Sequence, residues 1–429
     1  MRGALLIEHQ AEDIAFLWLW RVVTCGAPNV RLADLSRADE RLEAYCDSLL
    51  IARTHAWPAL TEGLRRANAG SLFAAATLAF TECNPDWIQN VTDVVLKPDC
   101  ALEGDCNQDH SLRRALTSAF AWVSRYVAER TIDRFRSDLR PEWRAIAIAA
   151  IGLRRADPGL ALESFVTDQS PLVRARAYRT TGQLGRADLM AQLRPGLSDD
   201  DPECRFWSAW VAVRMGAGDE GLRVLGDIAW NNLARADRAL DLLLRRLDLP
   251  QANAWLREFA KIPGQQRAVI RATGVIGDPL YIPWLIERMS TLETARLAGE
   301  AFSMITGLDL AYRDLDRKPP QDFESGPNDD PADENVALDE DEHLPWPDPG
   351  KIGRWWAANR GRFDVGTPYF LGTPKPAADW LEALSDAFQR QRHAAALELA
   401  IRQPDKAMFE VRARGRLQRQ LIARARGLA

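Results

Sequence analysis

The stretch SPLVRARAYRTTGQLG, residues 170–185, returns along the chain with its landmark residues in register. Thirty-one residues later comes DPECRFWSAWVAVRMG, in which Pro202 and Gly216 hold the positions of Pro171 and Gly185. A motif for catalysis occurs once, whereas self-similarity at a fixed period is typical of a repeat array. We therefore interpret the stretch as one structural unit, with copies beginning near residues 111, 141, 171, 202, 233, 263 and 293.

Each copy has the hydrophobic spacing of a helix. Val173, Ala177, Thr181 and Leu184 follow one another at intervals of 4, 4 and 3 residues, which places them on one face of a 3.6-residue helix. Proline suits the first helical turn, and glycine suits the left-handed residue that ends a helix. A second short apolar stripe separates successive copies, so each unit is predicted to be a helical hairpin that must stack on its neighbours to bury its apolar face.

The Pro-x-x-Arg openings and closing glycines resemble short HEAT-like repeats of the kind also seen in phycobilisome-lyase-type proteins. The resemblance covers roughly residues 111–310 and rests on three openings: Pro141/Arg144, Pro171/Arg174 and Pro202/Arg205. It implies an all-α fold, a right-handed α-solenoid of helical hairpins with atypical helical caps at both ends. It implies no lyase activity and no particular function, because this fold carries many functions.

Composition suggests four segments. Residues 1–110 are predicted to form a helical cap region, 111–310 the repeat array, 311–343 an acidic, disordered linker, and 344–429 a helical region with a basic tail. The chain has a net charge of −5, yet residues 320–342 alone hold ten acids and no Lys or Arg. A segment so rich in acids and Pro has little to bury and favours disorder.

The sequence favours a cytoplasmic location. Its six cysteines form no dense framework, which suits a reducing compartment. The N-terminal apolar run is too short for a secretory signal, and nothing approaches 18 uninterrupted apolar residues, so no membrane span is expected.

The segments outside the repeats carry a second resemblance, to an uncharacterised proteobacterial HEAT-repeat family whose genes often lie near those for type VI secretion. It rests on IEHQAEDIAFLWLWR (7–21), LADLSRADERLEA (32–44) and LPWPDPGKIGRWWAANRGRF (344–363). The resemblance implies an accessory or adaptor role, with a secretion effector or apparatus component as partner. It brings no catalytic residues and no cofactor.

One group of residues has metal-ligand chemistry. Cys83, Cys100, Cys106 and His110 could bind zinc, but their spacing is wider than in closed structural sites. The alternative, an acidic surface loop with incidental thiols, is favoured. No metal and no cofactor is therefore expected.

The arginine at the third position after the opening proline recurs in five copies. One interpretation is a structural ladder in which each arginine binds an acid or a helix end of the neighbouring unit, preferred for Arg144, Arg174, Arg205 and Arg296. The other is a basic groove for nucleic acid, which the adjacent acids and a pI of about 5.7 disfavour.

Aromatic residues suggest a protein-binding surface instead. Tyr178, Arg179, Phe206 and Trp210 are residue types that dominate protein interfaces, and we assign them to second helices that would line a solenoid's inner wall. The alternative is that they fill the core. We predict a non-catalytic protein-binding adaptor or scaffold; the alternative function is a HEAT-like enzyme such as a DNA-repair glycosylase or a lyase.

Overall fold

The computed structural model describes residues 2–66, 68–96, 106–321, 323 and 339–428, with side chains described from residue 7 onward except at 96 and 106–110. Contacts group the chain into two compact units. Unit 1 comprises Met1–Gly221 and Leu381–Ala429, and unit 2 comprises Leu222–Trp380. This division differs from the four segments predicted from the sequence, because it groups residues by their contacts in the folded chain and not by composition and repeat pattern.

Unit 1 consists of helices, in this order: α1 (Arg2–Thr24), α2 (Leu32–Ile51), α3 (Arg53–Arg65), α4 (Ala69–Thr81), α5 (Pro85–Leu96), α6 (Cys106–Ala119), α7 (Arg125–Arg136), α8 (Pro141–Arg154), α9 (Ala161–Val166), α10 (Pro171–Leu184), α11 (Met190–Leu193), α12 (Pro202–Arg214), and, after unit 2, α20 (Trp380–Asp386), α21 (Gln389–Arg402) and α22 (Gly415–Ala425).

Unit 2 is also helical, with one small antiparallel hairpin in which Tyr369 pairs with Pro374 and Phe370 with Thr373. Its elements are α13 (Asp219–Trp230), which begins three residues before the unit, α14 (Ala236–Arg246), α15 (Leu249–Phe259), α16 (Gln266–Ile276), α17 (Ile282–Arg288), α18 (Leu292–Thr306), α19 (Pro349–Asn359), β1 (Tyr369–Phe370) and β2 (Thr373–Pro374).

The repeat pattern corresponds to helical hairpins, as predicted. α8, α10 and α12 begin at Pro141, Pro171 and Pro202, each in the first helical turn. α10 packs against both α8 and α12 in unit 1, and α16 packs against both α14 and α18 in unit 2. Within each unit, the opening helix of one copy thus stacks on the opening helix of the next, and the chain has an all-α helical-repeat fold.

The arginine ladder is present at the start of these helices. Arg174 Nε and Nη2 bind the two carboxylate oxygens of Asp199 at 3.0 and 3.1 Å, while Nη1 binds the carbonyl oxygens of Asp168 and Gln169 at 2.9 Å each. Arg144 binds Asp168 in the same way, at 3.0 Å from each carboxylate oxygen. Each arginine therefore ties the loop before its own helix to the loop of the next copy, through the planar fork that only arginine supplies.

The other two arginines of the ladder, Arg205 and Arg296, bind different partners. Arg205 binds only the carbonyls of its own loop, those of Asp199 and Asp200, among the described residues. Arg296 Nη2 lies 2.7 Å from a carboxylate oxygen of Asp339, far along the chain. The acidic segment thus supplies the carboxylate that a following repeat would have provided.

The region predicted to be helical over 344–429 is interrupted near its end, because α21 ends at Arg402 and α22 begins only at Gly415. Residues 403–414, here called the C-terminal segment, cross the ends of repeat helices instead. Met408 N donates to Gln183 O at 2.8 Å, and Arg214 donates to the carbonyls of Pro404 and Lys406 at 3.2 and 2.7 Å. Backbone groups that a helix would have used internally are satisfied by α10 and α12.

Close approach of this segment requires an unusual backbone at the helix ends. Gly185 ends α10 in the left-handed conformation, with φ +75°, and a Cβ there would lie 2.5 Å from Lys406 O. Arg155 occupies the matching position after α8 with φ +52°, although it carries a side chain. Its guanidinium binds Met408 O at 2.7 Å and the Glu410 carboxylate at 3.3 Å, contacts that compensate the strained backbone.

Unit 2 uses the same construction with its hairpin. Tyr369 N donates to Gly277 O at 2.8 Å, and Leu371 N donates to Met304 O at 2.8 Å. Gly277 and Gly307 end α16 and α18 in the left-handed conformation, with φ +81° and +74°, and a Cβ on either would overlap a carbonyl oxygen of the hairpin region. The glycines that recur at the ends of the sequence repeats therefore also make room for a second chain segment.

The described ends of the acidic linker are ordered, which differs from the disorder expected for 311–343. Asp316 forms a β-bridge with Pro347, and Arg317 N donates to Trp346 O at 2.8 Å. Leu315 and Asp341 are buried. Residues 324–338 of the predicted linker lie outside the described part of the chain.

We expect Gly277→Ala to destabilise unit 2 far more than Gly264→Ala. Both glycines have φ near +80°, but nothing lies within 4 Å of a Cβ at Gly264. Gly264→Ala should therefore cost only the conformational penalty of about 1 kcal/mol, whereas Gly277→Ala should add overlap with the hairpin and cost about 3 kcal/mol in total. Urea unfolding of the three proteins measures this; equal losses would mean that the hairpin does not need the glycine.

Glu410 should make the stability of unit 1 depend on pH. Burial raises the pKa of the Glu410 carboxyl, but the charges of Arg412 and Arg155 outweigh burial and hold that pKa well below its usual range. A depressed folded-state pKa contributes stability above the unfolded pKa of about 4.3 and loses it as the pH falls toward the folded value. Glu410→Gln should therefore cost about 3 kcal/mol at pH 7, because it removes the buried carboxylate that pairs with Arg155 and Arg412.

The gap between wild type and Glu410→Gln should narrow as the pH is lowered below about 4.3. Asp200→Asn is the matched control, because it also removes one carboxylate from unit 1 but from an exposed side chain. Denaturant unfolding between pH 3 and pH 7 gives the comparison. A gap that stays constant with pH would contradict the role assigned to the Glu410 charge.

Candidate protein-binding surface

Three of the four residues predicted to bind a partner are buried. The side chains of Tyr178, Phe206 and Trp210 are 3%, 1% and 7% exposed. They lie on α10 and α12, the opening helices of their copies, and not on second helices as the sequence analysis assumed. The expectation that they form an exposed patch is therefore wrong.

α12 buries aromatic side chains around its circumference because it is enclosed on more than one side. It packs against α10 and against the turn at Arg194–Ser198 that precedes it. Trp207 is also buried, although it follows Phe206 directly and so starts from a different face of the helix, and its ring lies 5.7 Å from that of Trp210. Stacked neighbours thus leave room for rings on several faces of one helix.

Glycines provide the space for these rings. A Cβ at Gly182 would lie 2.7 Å from the Val211 side chain and 3.2 Å from the Trp210 ring, and a Cβ at Gly196 would lie 2.7 Å from the Tyr178 ring. The aromatic residues of α10 and α12 are therefore core residues. Arg179, the fourth predicted residue, is half-buried, with its guanidinium 4.7 Å from the centre of the Trp207 ring.

A different helix of unit 1 exposes apolar side chains. Phe16, Leu19, Trp20 and Val23 on α1 are 66%, 38%, 42% and 69% exposed. They follow the spacing i, i+3, i+4 and i+7, so they form one continuous stripe, here called the α1 stripe. The opposite face of α1 is buried against α2, α3 and α4, with Ile14 and Trp18 at 0% and 2% exposure.

An open pocket of about 680 Å³ lies along this stripe. α1 forms one wall through Phe16 and Leu19, α3 forms the other through Pro58 and Ala59, and Ser71 at the start of α4 also lines it. The uncharged residues of α1 and α3 that line the pocket are mostly apolar. Packing of α1, α3 and α4 against one another holds these two walls in place. The site can therefore accept an apolar side chain beside the α1 stripe.

The edge of the pocket is mainly acidic. Its charged lining residues are Glu8, Glu12, Glu62 and Arg66, three carboxylates to one guanidinium. Glu62 is paired with Arg65, and His9 lies 3.7 Å from Glu12 with both side chains about three-quarters exposed. The surface thus combines an apolar centre with a negative edge, the arrangement of a recognition site whose edge selects partners by charge.

The sequence contains an indication of the α1 stripe, because residues 14–23 are too uniformly apolar to lie on one buried face of a helix. Residues 14–23, IAFLWLWRVV, are apolar at nine of ten positions, so one helical face cannot hold them all. A helix that is apolar on every face is either enclosed or binds something. The structure shows that α1 is enclosed on one side only.

The thiols of Cys25, Cys46 and Cys204 in unit 1 are poor nucleophiles. Burial raises the pKa of the Cys46 thiol to about 12, and burial also raises the pKa of Cys25 and of Cys204. All three therefore stay protonated at neutral pH, and a protonated thiol neither attacks nor binds metal well. Cys25 and Cys204 are core residues, and Cys46 is half-buried.

Three of the four candidate zinc ligands fall where the structure describes no side chain. Cys100 lies outside the described residues, and the side chains of Cys106 and His110 are not described. Cys83 is exposed. Within the described part of the chain, no three His, Cys, Asp or Glu side chains come together with the geometry of a metal site.

The repeats are matched by a known family. Residues 159–241, which include α10 and α12, match a family model described as HEAT repeats. This stretch of the chain therefore resembles HEAT repeats. Neither the curated proteins nor the solved structures contain a match to the chain. None of the described helices combines the length and apolar character needed to cross a membrane.

Melting temperatures should separate the core aromatics from the α1 stripe. Trp210→Ala should destabilise the protein by about 3–5 kcal/mol, because it opens a cavity between α10 and α12. Phe16→Ala, a similar truncation of a side chain that is 66% exposed, should cost less than about 1 kcal/mol. Thermal unfolding followed by circular dichroism tests both, and a large loss for Phe16→Ala would mean that the stripe belongs to the core.

Proposed function

We propose that this HEAT-like protein is a non-catalytic adaptor that binds an amphipathic helix of a partner protein on the α1 stripe. The observation that supports the proposal most directly is the continuous row of Phe16, Leu19, Trp20 and Val23, all exposed. Large exposed apolar side chains lower solubility, and a contiguous row of them beside a pocket is characteristic of a binding surface.

A helix is the occupant that matches the spacing. Phe16 and Val23 lie seven residues apart, which is about 10.5 Å along α1 and equals two helical turns. A partner helix laid along α1 would place its own apolar residues at the same interval, with one side chain entering the pocket between α1 and α3. An extended strand would instead require free backbone edges, and α1 has satisfied its own backbone groups internally.

The charge of the pocket edge selects a basic partner. Glu8 and Glu12 extend from α1 on the N-terminal side of the stripe, and both line the pocket. A partner helix with Lys or Arg beside its apolar face would meet these carboxylates, whereas an acidic one would be repelled. The same carboxylates would repel the phosphates of a nucleic acid.

A cellular role in secretion follows from the second resemblance of the sequence. We propose that the adaptor acts in the bacterial cytoplasm as an accessory to type VI secretion, with an effector or a component of the apparatus as its partner. The support is the resemblance of residues 7–21, 32–44 and 344–363 to the family described above. The alternative of a HEAT-like glycosylase or lyase gains no support from the described residues, because the contacts of His9 with Glu12 and of His343 with Glu342 lie on exposed surface.

Photo-crosslinking in the native cells can test the binding surface. A benzophenone amino acid at position 16 or 23 should crosslink to the same segment of one partner, and mass spectrometry should show an amphipathic helix carrying Lys or Arg. Position 139 is the matched control, because Leu139 is 94% exposed but lies before α8. A synthetic peptide of the crosslinked segment should then bind wild-type protein at least tenfold more tightly than Phe16→Asp.

Phe16→Asp should melt within a few degrees of wild type, so that lost binding reflects the surface and not the fold. Two results would overturn the proposal: crosslinks at position 16 no stronger than those at position 139, or a peptide that binds Phe16→Asp as well as wild type. A DNA fragment as the dominant crosslinked species would favour the enzymatic alternative.

A further inference from the structure

Three consecutive acidic residues of unit 2 rest on three arginines of the repeats. Asp339 and Asp341 contact Arg296 on α18, and Asp341 also contacts Arg267 on α16. Glu340 lies between Arg267 and Arg271, with its carboxylate oxygen 3.3 and 2.8 Å from their Nη2 atoms. The chain thus places its own acidic segment on a basic surface.

The three acids divide into a buried part and an exposed part. The side chain of Asp341 is 4% exposed, and its two oxygens lie 2.7 and 2.8 Å from the Arg267 guanidinium. Asp339 is 15% exposed and takes the place of a repeat-loop aspartate on Arg296. Arg296 is further enclosed by the rings of Phe323 and Trp346, each centred 4.8 Å away. These contacts fix the segment to unit 2.

Glu340 is different, because its side chain is 68% exposed. Arg267 and Arg271 are each 35% exposed and lie one helical turn apart on α16, so their guanidinium groups point to the same carboxylate. The other acidic contact of Arg271 is Asp237, at 3.5 Å. An exposed ion pair contributes only about 0–1 kcal/mol, so another carboxylate can take the place of Glu340 at small cost.

We infer that Arg267 and Arg271 form a binding site for an acidic peptide segment of a partner, and that Glu340 occupies this site in the free protein. The buried Asp339 and Asp341 hold Glu340 at the site, and the exposed Glu340 side chain leaves when a competing carboxylate binds. The site is on unit 2, so the inference is independent of the α1 stripe.

The geometry favours a peptide with adjacent carboxylates. One carboxylate replaces Glu340 between the two guanidinium groups, and a neighbouring acid along an extended peptide reaches the solvent-facing side of Arg271, where the longer contact to Asp237 is easily exchanged. Arginine forks bind carboxylates with two parallel hydrogen bonds, which gives such a site directional selectivity. A partner with a run of Asp and Glu has the required chemistry.

The inference can be tested with a fluorescein-labelled peptide of the sequence DENVALDEDEH, which is residues 333–343 of this chain. Its anisotropy is titrated with full-length wild type, Glu340→Gln and the double variant Glu340→Gln/Arg271→Glu at 50 mM and 150 mM salt. Glu340→Gln should bind the peptide about two- to fivefold more tightly than wild type, because the competing internal carboxylate, whose ion pair contributes about 0–1 kcal/mol, is gone. The double variant should lose this gain.

A peptide in which every Asp and Glu is replaced by Asn or Gln serves as the control for charge, and Glu342→Gln serves as the matched control for the neighbouring exposed acid. The inference is overturned if Glu340→Gln binds no more tightly than wild type, or if Glu342→Gln shows the same gain. It is equally overturned if the double variant or the neutral peptide retains the binding. Melting curves confirm that each variant is folded, as expected for a Glu340 side chain that is 68% exposed.

Discussion

The architecture depends on close contact between a second chain segment and the C-terminal ends of the repeat helices. At Gly185 in unit 1 and at Gly277 and Gly307 in unit 2, the helix ends in the left-handed conformation, and the space of a Cβ is filled by a carbonyl oxygen of a distant segment. Hydrogen bonds such as that from Met408 N to Gln183 O then join the backbones directly. These positions are constrained twice, by the turn and by the contact, so a side chain fits only where it compensates, as Arg155 does.

The other ends of the same helices are fixed by arginine. In unit 1, Arg174 binds two carbonyls of its own loop and the carboxylate of Asp199 from the next, and so sets the spacing between copies. A helix such as α10 is therefore held at its start by side chains, at its end by backbone, and along its sides by the core. Unit 2 ends the ladder by recruiting Asp339 from the acidic segment, which protects the final arginine from being left unpaired.

Because α10 and α12 are enclosed in this way, their aromatic residues are unavailable to partners. The α1 stripe offers an apolar surface with an acidic edge, and the Arg267–Arg271 pair offers a basic surface filled by Glu340. The two surfaces have opposite electrostatic character. The adaptor proposed above can use both to discriminate between partners by charge as well as by shape.

The sequence alone determined the repeat and its local chemistry. The spacing of Val173, Ala177 and Thr181 requires a helix, and Pro171 and Gly185 mark its ends, because these depend on neighbours within one turn. The arginine ladder was also predictable for Arg144 and Arg174, since their partners Asp168 and Asp199 recur at the same period, whereas the pairing of Arg296 with Asp339 was not. The tertiary structure alone decided which apolar residues are covered. Trp210 is buried and Phe16 is exposed because α12 has neighbours on several sides and α1 on one side only. Residues 403–414 form no helix because their hydrogen-bond partners lie about two hundred residues away in sequence. Local spacing carries no information about such distant contacts, which is why the α1 stripe could be recognised only in the folded chain.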